Sequence, residues 1–341
     1  MMKRFNVLFV VLAFGLALTV FAAPGPKYKL LKKHVIGGTG GWDYISVDET
    51  THRLYVSHGT RVVVLDEGTG DSIGNIPHTN GVHGVAIVSP LGKGYTSNGR
   101  SNTSTVFKLA DHKVIAEIKT GENPDAIFYD EFSKKVFVFN GSSNDATVID
   151  PATDRVLTTI PLGGKPEAGV SDGKGKVFVN IEDRNEVVKI NAATYKVENR
   201  FKLHGGEEPA GLAIDRRTGR LFVGCANKLM VVLDTHTGRM IAKLPIGDGS
   251  DGVAFDPEFK LAFSSNGEGS LTVVSELSAN GFTVIQTLRT EARGRTLCLD
   301  PRTHHIFIST ADFKEVKASL ANPKSRPQAV PGSFRVLEIG Q

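Results

Sequence analysis

Residues 125–163 decide the fold. DAIFYD (125–130), KKVFVFN (134–140), ATVID (146–150) and RVLTTIPLG (155–163) are four short runs rich in β-branched and aromatic residues, separated by turn residues. Runs of four to eight such residues bounded by Gly, Pro, Asn and Asp read as strands. Four at this spacing make one unit that leaves both its faces to be covered by neighbours. The closing residue of the first run, Asp130, has counterparts at Asp48, Ser89, Asp172, Asp215, Asp256 and Asp300, and consecutive anchors lie 41, 41, 42, 43, 41 and 44 residues apart. Seven four-stranded units of this period predict an all-β, seven-bladed β-propeller.

A ring of blades must close without a free sheet edge. After the seventh anchor, HHIFIST (304–310) and SFRVLEIG (333–340) supply a second and a third strand, and the chain ends at Gln341 with no fourth. YKLLKKHVIG (28–37), upstream of the first unit, has the outer-strand pattern and is expected to seal the ring as the outermost strand of the last blade. Asp150-Pro-Ala-Thr-Asp154 and Asp234-Thr-His-Thr-Gly238 are expected to turn tightly between third and fourth strands, with Asp154 or Gly238 in the left-handed position. Asn98-Gly99, Asn140-Gly141 and Asn266-Gly267 are expected to do the same between second and third strands, on the opposite rim.

The sequence NGSSNDATVIDPATDRVLTTIPLGGKPEA (140–168) resembles the consensus of the YVTN-repeat β-propellers, the YncE-like secreted bacterial proteins. The resemblance spans residues 23–341 as one domain and implies an exported protein. It leaves activity open, because propellers of this kind serve as binding modules, lactone hydrolases, lyases and electron-transfer proteins. The sixth and seventh units depart from the consensus, with SELSANGFTVIQTL (275–288) in place of the usual turn and a long insertion at 311–332.

Residues 1–22 have the layout of a secretory signal peptide: Lys3 and Arg4, an apolar run from Phe5 to Phe21, and small residues before a cut after Ala22. A retained anchor is the alternative. After processing no segment is apolar enough to span a bilayer. Losing Lys3 and Arg4 lowers the Lys and Arg count from 40 to 38, against 36 Asp and Glu, so bulk charge points to no nucleic-acid partner. A basic rim at Arg61, Arg100, Arg184 and Lys228 lacks the aromatic partners that single strands require. Cys225 and Cys298 fall in the fifth and seventh units and are expected to remain two buried thiols. CxxCH and HExxH motifs are absent, and the GxGxxG spelling at 247–252 links two strands with no helix to receive a pyrophosphate.

Chemistry is therefore sought where the units differ. Five residues before each anchor, where each innermost strand begins at one mouth of the central channel, stand Asp43, Gly84, Asp125, Glu167, Ala210, Asp251 and Arg295. Asp43, Asp125, Glu167 and Asp251 form a candidate metal set for a hard divalent cation, Ca²⁺ or Mg²⁺. Trp42, His83, Arg293 and Arg295 are the candidate ligand-binding residues, the two arginines suiting a carboxylate and Trp42 offering a stacking face. A hydrated, charge-balanced funnel would use the same residues. His78 and His204 lie in mouth-side loops as well. The insertion at 311–332, whose composition fits a short helix followed by an extended arm, projects at the same mouth as an expected lid. Two readings follow. One is a monomeric periplasmic or secreted protein that binds a small ligand or a protein partner at the mouth. The other is a metal-dependent lactonase or lyase with its site there, Asp43, Asp125, Glu167 and Asp251 as ligands or general acid and base, and His83 as proton shuttle.

Overall fold

The computed structural model describes residues 27–314 and 327–341; the signal peptide expected at 1–22 lies outside the described residues. Seven four-stranded antiparallel sheets stand in a ring as blades 1–7. Their innermost strands are Ile45–Asp48, Val82–Val88, Pro124–Asp130, Pro166–Ser171, Pro209–Asp215, Ser250–Asp256 and Leu297–Asp300. Each innermost strand packs beside the next, and the seventh packs beside the first. All seven line one central channel, entered past Tyr44, Val85, Ala126, Ala168, Gly211, Gly252 and Thr296.

Closure is as the sequence predicts. Lys29–Val35 pairs antiparallel with Arg335–Gly340, from Lys29 opposite Gly340 to Val35 opposite Arg335, and forms the outer strand of blade 7. The core is divided among seven apolar clusters, one at each seam between adjacent blades. This follows from strand alternation: every second residue of the middle strands faces one seam and the others face the opposite one. In His305–Thr310, for example, Ile306 and Ile308 pack towards blade 6 while Phe307 packs towards blade 1.

The anchors close the innermost strands at the end away from the acids. Asp48 accepts from the Thr50 amide and the Thr51 hydroxyl, Asp215 from Arg217 and Thr218, and Asp300 from Arg302 and Thr303. These side chains bond the backbone two residues on and stabilise the turn, which explains their recurrence without chemistry. The third-to-fourth-strand turns also form as expected: Asp154 and Gly238 have φ of 56° and 71° and donate their amides to Asp150 and Asp234.

The mouth-side turns differ from expectation. Gly99, Gly141 and Gly267 are not in the left-handed region; it is occupied by Asn102 (φ 56°), Asn144 (φ 59°) and Gly269 (φ 99°). The preceding Asn98, Asn140 and Asn266 recur because their buried side-chain amides staple the third strand. Asn98 donates to Thr103 and Thr105, Asn140 to Asp145 and Thr147, and Asn266 to Ser270 and Thr272.

The departures in blades 6 and 7 have structural roles. In blade 6 the SELSANGFTVIQTL stretch lies in a longer hairpin, Ser270–Ser278 with Gly281–Arg289. Arg220 of blade 5 holds its tip, donating to the Ala279 carbonyl at 2.6 Å while pairing with Asp234 at 2.6 Å. In blade 7 the described base of the insertion is a two-stranded stem, Phe313–Lys314 against Gln328–Ala329, rather than the start of a helix. The helix expected further along falls at 315–326, outside the described residues. Arg335 clamps the stem, reaching Asp312 at 2.6 Å and Glu291 at 2.5 Å. Among the described residues no helix is long and apolar enough to cross a membrane, and Cys225 and Cys298 are free thiols, the first buried and the second partly so.

Candidate functional site

The residue five positions before each anchor stands where a mouth-side loop enters its innermost strand, and hydroxyls at the ends of the second strands fix these entries. The Ser57 hydroxyl accepts from the Asp43 amide at 2.8 Å, and the Asp43 carbonyl accepts from Thr296 at 2.9 Å and Ser309 at 3.1 Å, both of blade 7. Ser97 accepts from the Gly84 amide and donates to the Asp125 carbonyl of the next blade. Ser265 repeats the arrangement, accepting from the Gly252 amide at 3.1 Å and donating to the Arg295 carbonyl at 2.7 Å. Adjacent blades thus hold each other's mouth residues in place through buried hydrogen bonds.

The side chains converge unequally. His83 Nδ1 is 2.7 Å from Asp43 Oδ2 and 3.4 Å from Asp125 Oδ1. Arg295 lies across the other oxygen of Asp43, with Nη2 at 3.2 Å from Oδ1, and its Nε is 3.4 Å from Asp251 Oδ2. Glu167 pairs with Lys165 at 2.8 Å, and the same ammonium meets Glu182. Of the four expected metal ligands, then, only Asp43 and Asp125 come together, with His83 as their third member. Asp251 and Glu167 are each engaged by a cation instead. Arg295 is held between two carboxylates, so its expected grip on a ligand carboxylate competes with both. His78 and His204 are exposed loop residues outside this group.

Tyr44 was missed by the sequence reading. It is the one bulky aromatic at the channel entrance, where other blades place Val85, Ala126, Ala168, Gly211, Gly252 and Thr296. That contrast was the available signal. Burial holds its phenol well above the usual range, and the charges of Asp125, Glu167, Asp43 and Asp251 add to the effect, so one hydroxyl senses all four acids. Lys165, too, went unnoticed, because its role depends on two acids from different parts of blade 4.

The electrostatics show an excess of negative charge. Burial pushes Asp125 up to about 6, and the charge of Asp43 adds to this against the relief from His83, Arg295 and Lys165. Burial and the Asp125 charge carry Glu167 up to about 8 despite its Lys165 partner. Burial likewise raises Asp251 to about 6; Arg295 opposes the rise and Asp43 adds to it. Burial works against protonation of His83, but its hydrogen bond to Asp43 and the charges of Asp125 and Asp43 outweigh that, and its affinity for a proton is raised. A buried set of carboxylates disposed to take up protons favours any cation that can replace them.

Beside this group opens a crevice of about 1010 Å³, walled by blades 4 to 7 and the first residues of blade 1. Trp42 lines it while stacking on Phe334 at 4.8 Å, half-buried against the apolar seam between blades 7 and 1. The insertion stem contributes Phe313, and Arg293 lies over that ring with its guanidinium carbon 5.1 Å from the centroid. Among the described residues, five carboxylates line the crevice (Glu182, Glu208, Asp248, Asp251 and Glu268) against Arg293 and Arg295.

No protein-family model and no curated protein sequence matches the chain. Among solved structures it is similar to a chain of Kuenenia stuttgartiensis hydrazine synthase, with a TM-score of 0.68 and 17% identity over 82% of this chain and 94% of that chain. At that identity the likeness bears on the fold, and together with the seven closed sheets it makes this protein a seven-bladed β-propeller.

Proposed function

We propose that the protein is an exported propeller of the YVTN-repeat, YncE-like type whose work is binding, and that its ligand occupies the mouth crevice and carries positive charge. The crevice itself carries this reading. It is large enough for a small molecule or a few residues of a partner protein, has aromatic faces at Trp42 and Phe313, and among the described residues sets five carboxylates, of which Glu182 and Asp248 are paired with Lys165 and Lys228, against two arginines, one already held by Asp43 and Asp251. An amine or a basic peptide segment completes such a surface; a carboxylate ligand meets mostly like charge. The alternative, a metal-dependent lactonase or lyase, draws its support from the grouping of Asp43, His83 and Asp125.

Trp42 is the only tryptophan in the chain, so its fluorescence reports on the crevice alone. Titration of the mature protein with short basic and acidic peptides is predicted to give a saturable change in emission with the basic peptides only. The change should weaken as salt is raised and fall by about tenfold in affinity in a Glu208→Gln/Glu268→Gln variant, the cost of a charge-assisted contact. A preference for the acidic peptides, or no saturable response to either set, would count against the proposal.

A further inference from the structure

We propose that Asp43, His83 and Asp125 form a three-residue metal site for a divalent transition ion such as Mn²⁺ or Zn²⁺, set in the wall of the channel mouth. The inference goes beyond the binding reading and uses residues that do not line the crevice, so each can fail without the other. His83 Nδ1 stands 2.7 Å from Asp43 Oδ2 and 3.4 Å from Asp125 Oδ1, and one ligand atom from each residue lies within 4.8 Å of the other two. A six-coordinate ion with bonds of about 2.1 Å places neighbouring ligand atoms about 3.0 Å apart. The two measured separations bracket that edge.

A second observation points to a missing partner. The Asp125 side chain is 12% exposed and its carboxylate accepts no hydrogen bond among the described residues; its one ion-pair contact is the 3.4 Å approach to His83. Buried charged oxygens are ordinarily hydrogen-bonded or metal-bound. Asp43, by contrast, is oriented as a metal ligand would be. Its backbone is fixed at both ends by Ser57, Thr296 and Ser309, and Arg295 holds Oδ1, leaving Oδ2 directed at His83. Outer contacts of this kind orient metal-binding carboxylates. His83 Nε2 lies over Gly99, where an added Cβ would come within 2.7 Å of it, so Gly99 leaves room for the ring.

The donor set selects the ion class. Ca²⁺ seeks six to eight oxygens, whereas one imidazole with two carboxylates suits the Mn²⁺ to Zn²⁺ series. Three protein ligands leave positions for water or an atom of a bound ligand. On binding, an imidazolium at His83 releases its Nδ1 proton to solvent and a neutral ring moves it to Nε2, so that Nε2 carries the one remaining N–H while Nδ1 and Asp43 Oδ2 bind the ion.

The test is equilibrium dialysis of the chelator-stripped mature protein against Zn²⁺ or Mn²⁺ alone, with elemental analysis and melting temperature as readouts. One ion per chain and a raised melting temperature are expected. Asp125→Asn and His83→Gln should each weaken binding by at least about tenfold, the lower end of the losses that accompany changes at metal sites, and Glu167→Gln should retain one ion. Circular dichroism shows whether each variant is folded. Should a variant fail to fold, competition by Ca²⁺ on the unaltered protein decides, because preference for Ca²⁺ overturns the proposal. So does failure of the wild type to bind either ion stoichiometrically, or equal binding by folded Asp125→Asn and His83→Gln proteins.

Discussion

At the residue scale the chain separates recurrence from chemistry. Asn98, Asn140 and Asn266 recur because a buried amide pins the third strand in blades 2, 3 and 6, and the glycine after each has no left-handed duty. Asn140→Ala is therefore predicted to destabilise the protein by about 1–3 kcal/mol, the cost of leaving buried partners unsatisfied. Gly141→Ala should cost less, because the nearest heavy atom to its added Cβ, Asn123 Nδ2, lies 3.3 Å away at a side-chain end. Urea denaturation of the two variants checks the order, and a costlier Gly141→Ala would return the left-handed role to glycine. The candidate site was legible at the same scale only in part. Counting back from the anchors found Asp43, Asp125, Glu167, Asp251 and Arg295 because backbone position is periodic. It could not tell which acids face one another and which face Lys165 or Arg295, since that depends on side-chain direction across blades.

At the scale of strands and seams, closure by Lys29–Val35 was readable because an unpaired third strand at 335–340 demanded a partner and only one upstream segment had the pattern. The seams hold something no repeat pattern showed. In two of the seven a buried glutamate faces the neighbouring anchor aspartate: Glu67 faces Asp300 between blades 1 and 7, and Glu276 faces Asp215 between blades 6 and 5. Burial raises Glu67 from 4.5 to about 7, its contact with Asp300 adding to this and Arg302 opposing it. Burial raises Glu276 to about 7 as well, with Thr218 and Arg217 opposing and Asp215 reinforcing. Each glutamate therefore takes up a proton more readily in the folded protein than in the unfolded chain. Its stabilising contribution is complete below about pH 4.5, declines above it, and is gone once the pH passes about 7. Asp300 has the opposite sign. Burial would raise it, but bonds from Glu67, Thr303 and the Arg302 amide hold it below 3.8, so its contribution is lost only in stronger acid. The melting temperature is accordingly predicted to fall between pH 5 and pH 8, and Glu67→Gln/Glu276→Gln to flatten that fall by keeping a neutral donor at both seams. An unchanged slope in the double variant would remove the seam carboxyls as its cause.

At the scale of the whole molecule, the sevenfold ring assembles residues from blades 1, 2, 3, 4, 6 and 7 at one mouth although they lie up to 252 positions apart in the chain, as Arg295 and Asp43 do. The period makes the sites where blades differ stand out, and those sites converge on a crevice with buried negative charge behind it and an insertion stem beside it. That binding takes place at this mouth is tested most directly by native mass spectrometry of the mature protein isolated from its own compartment, beside a Trp42→Ala/Asp125→Asn variant isolated in the same way. Binding at the mouth predicts non-covalent mass on the wild type, an ion, a ligand or both, that the folded variant lacks. A bare polypeptide mass for the wild type, or the same added mass on both proteins, would contradict it.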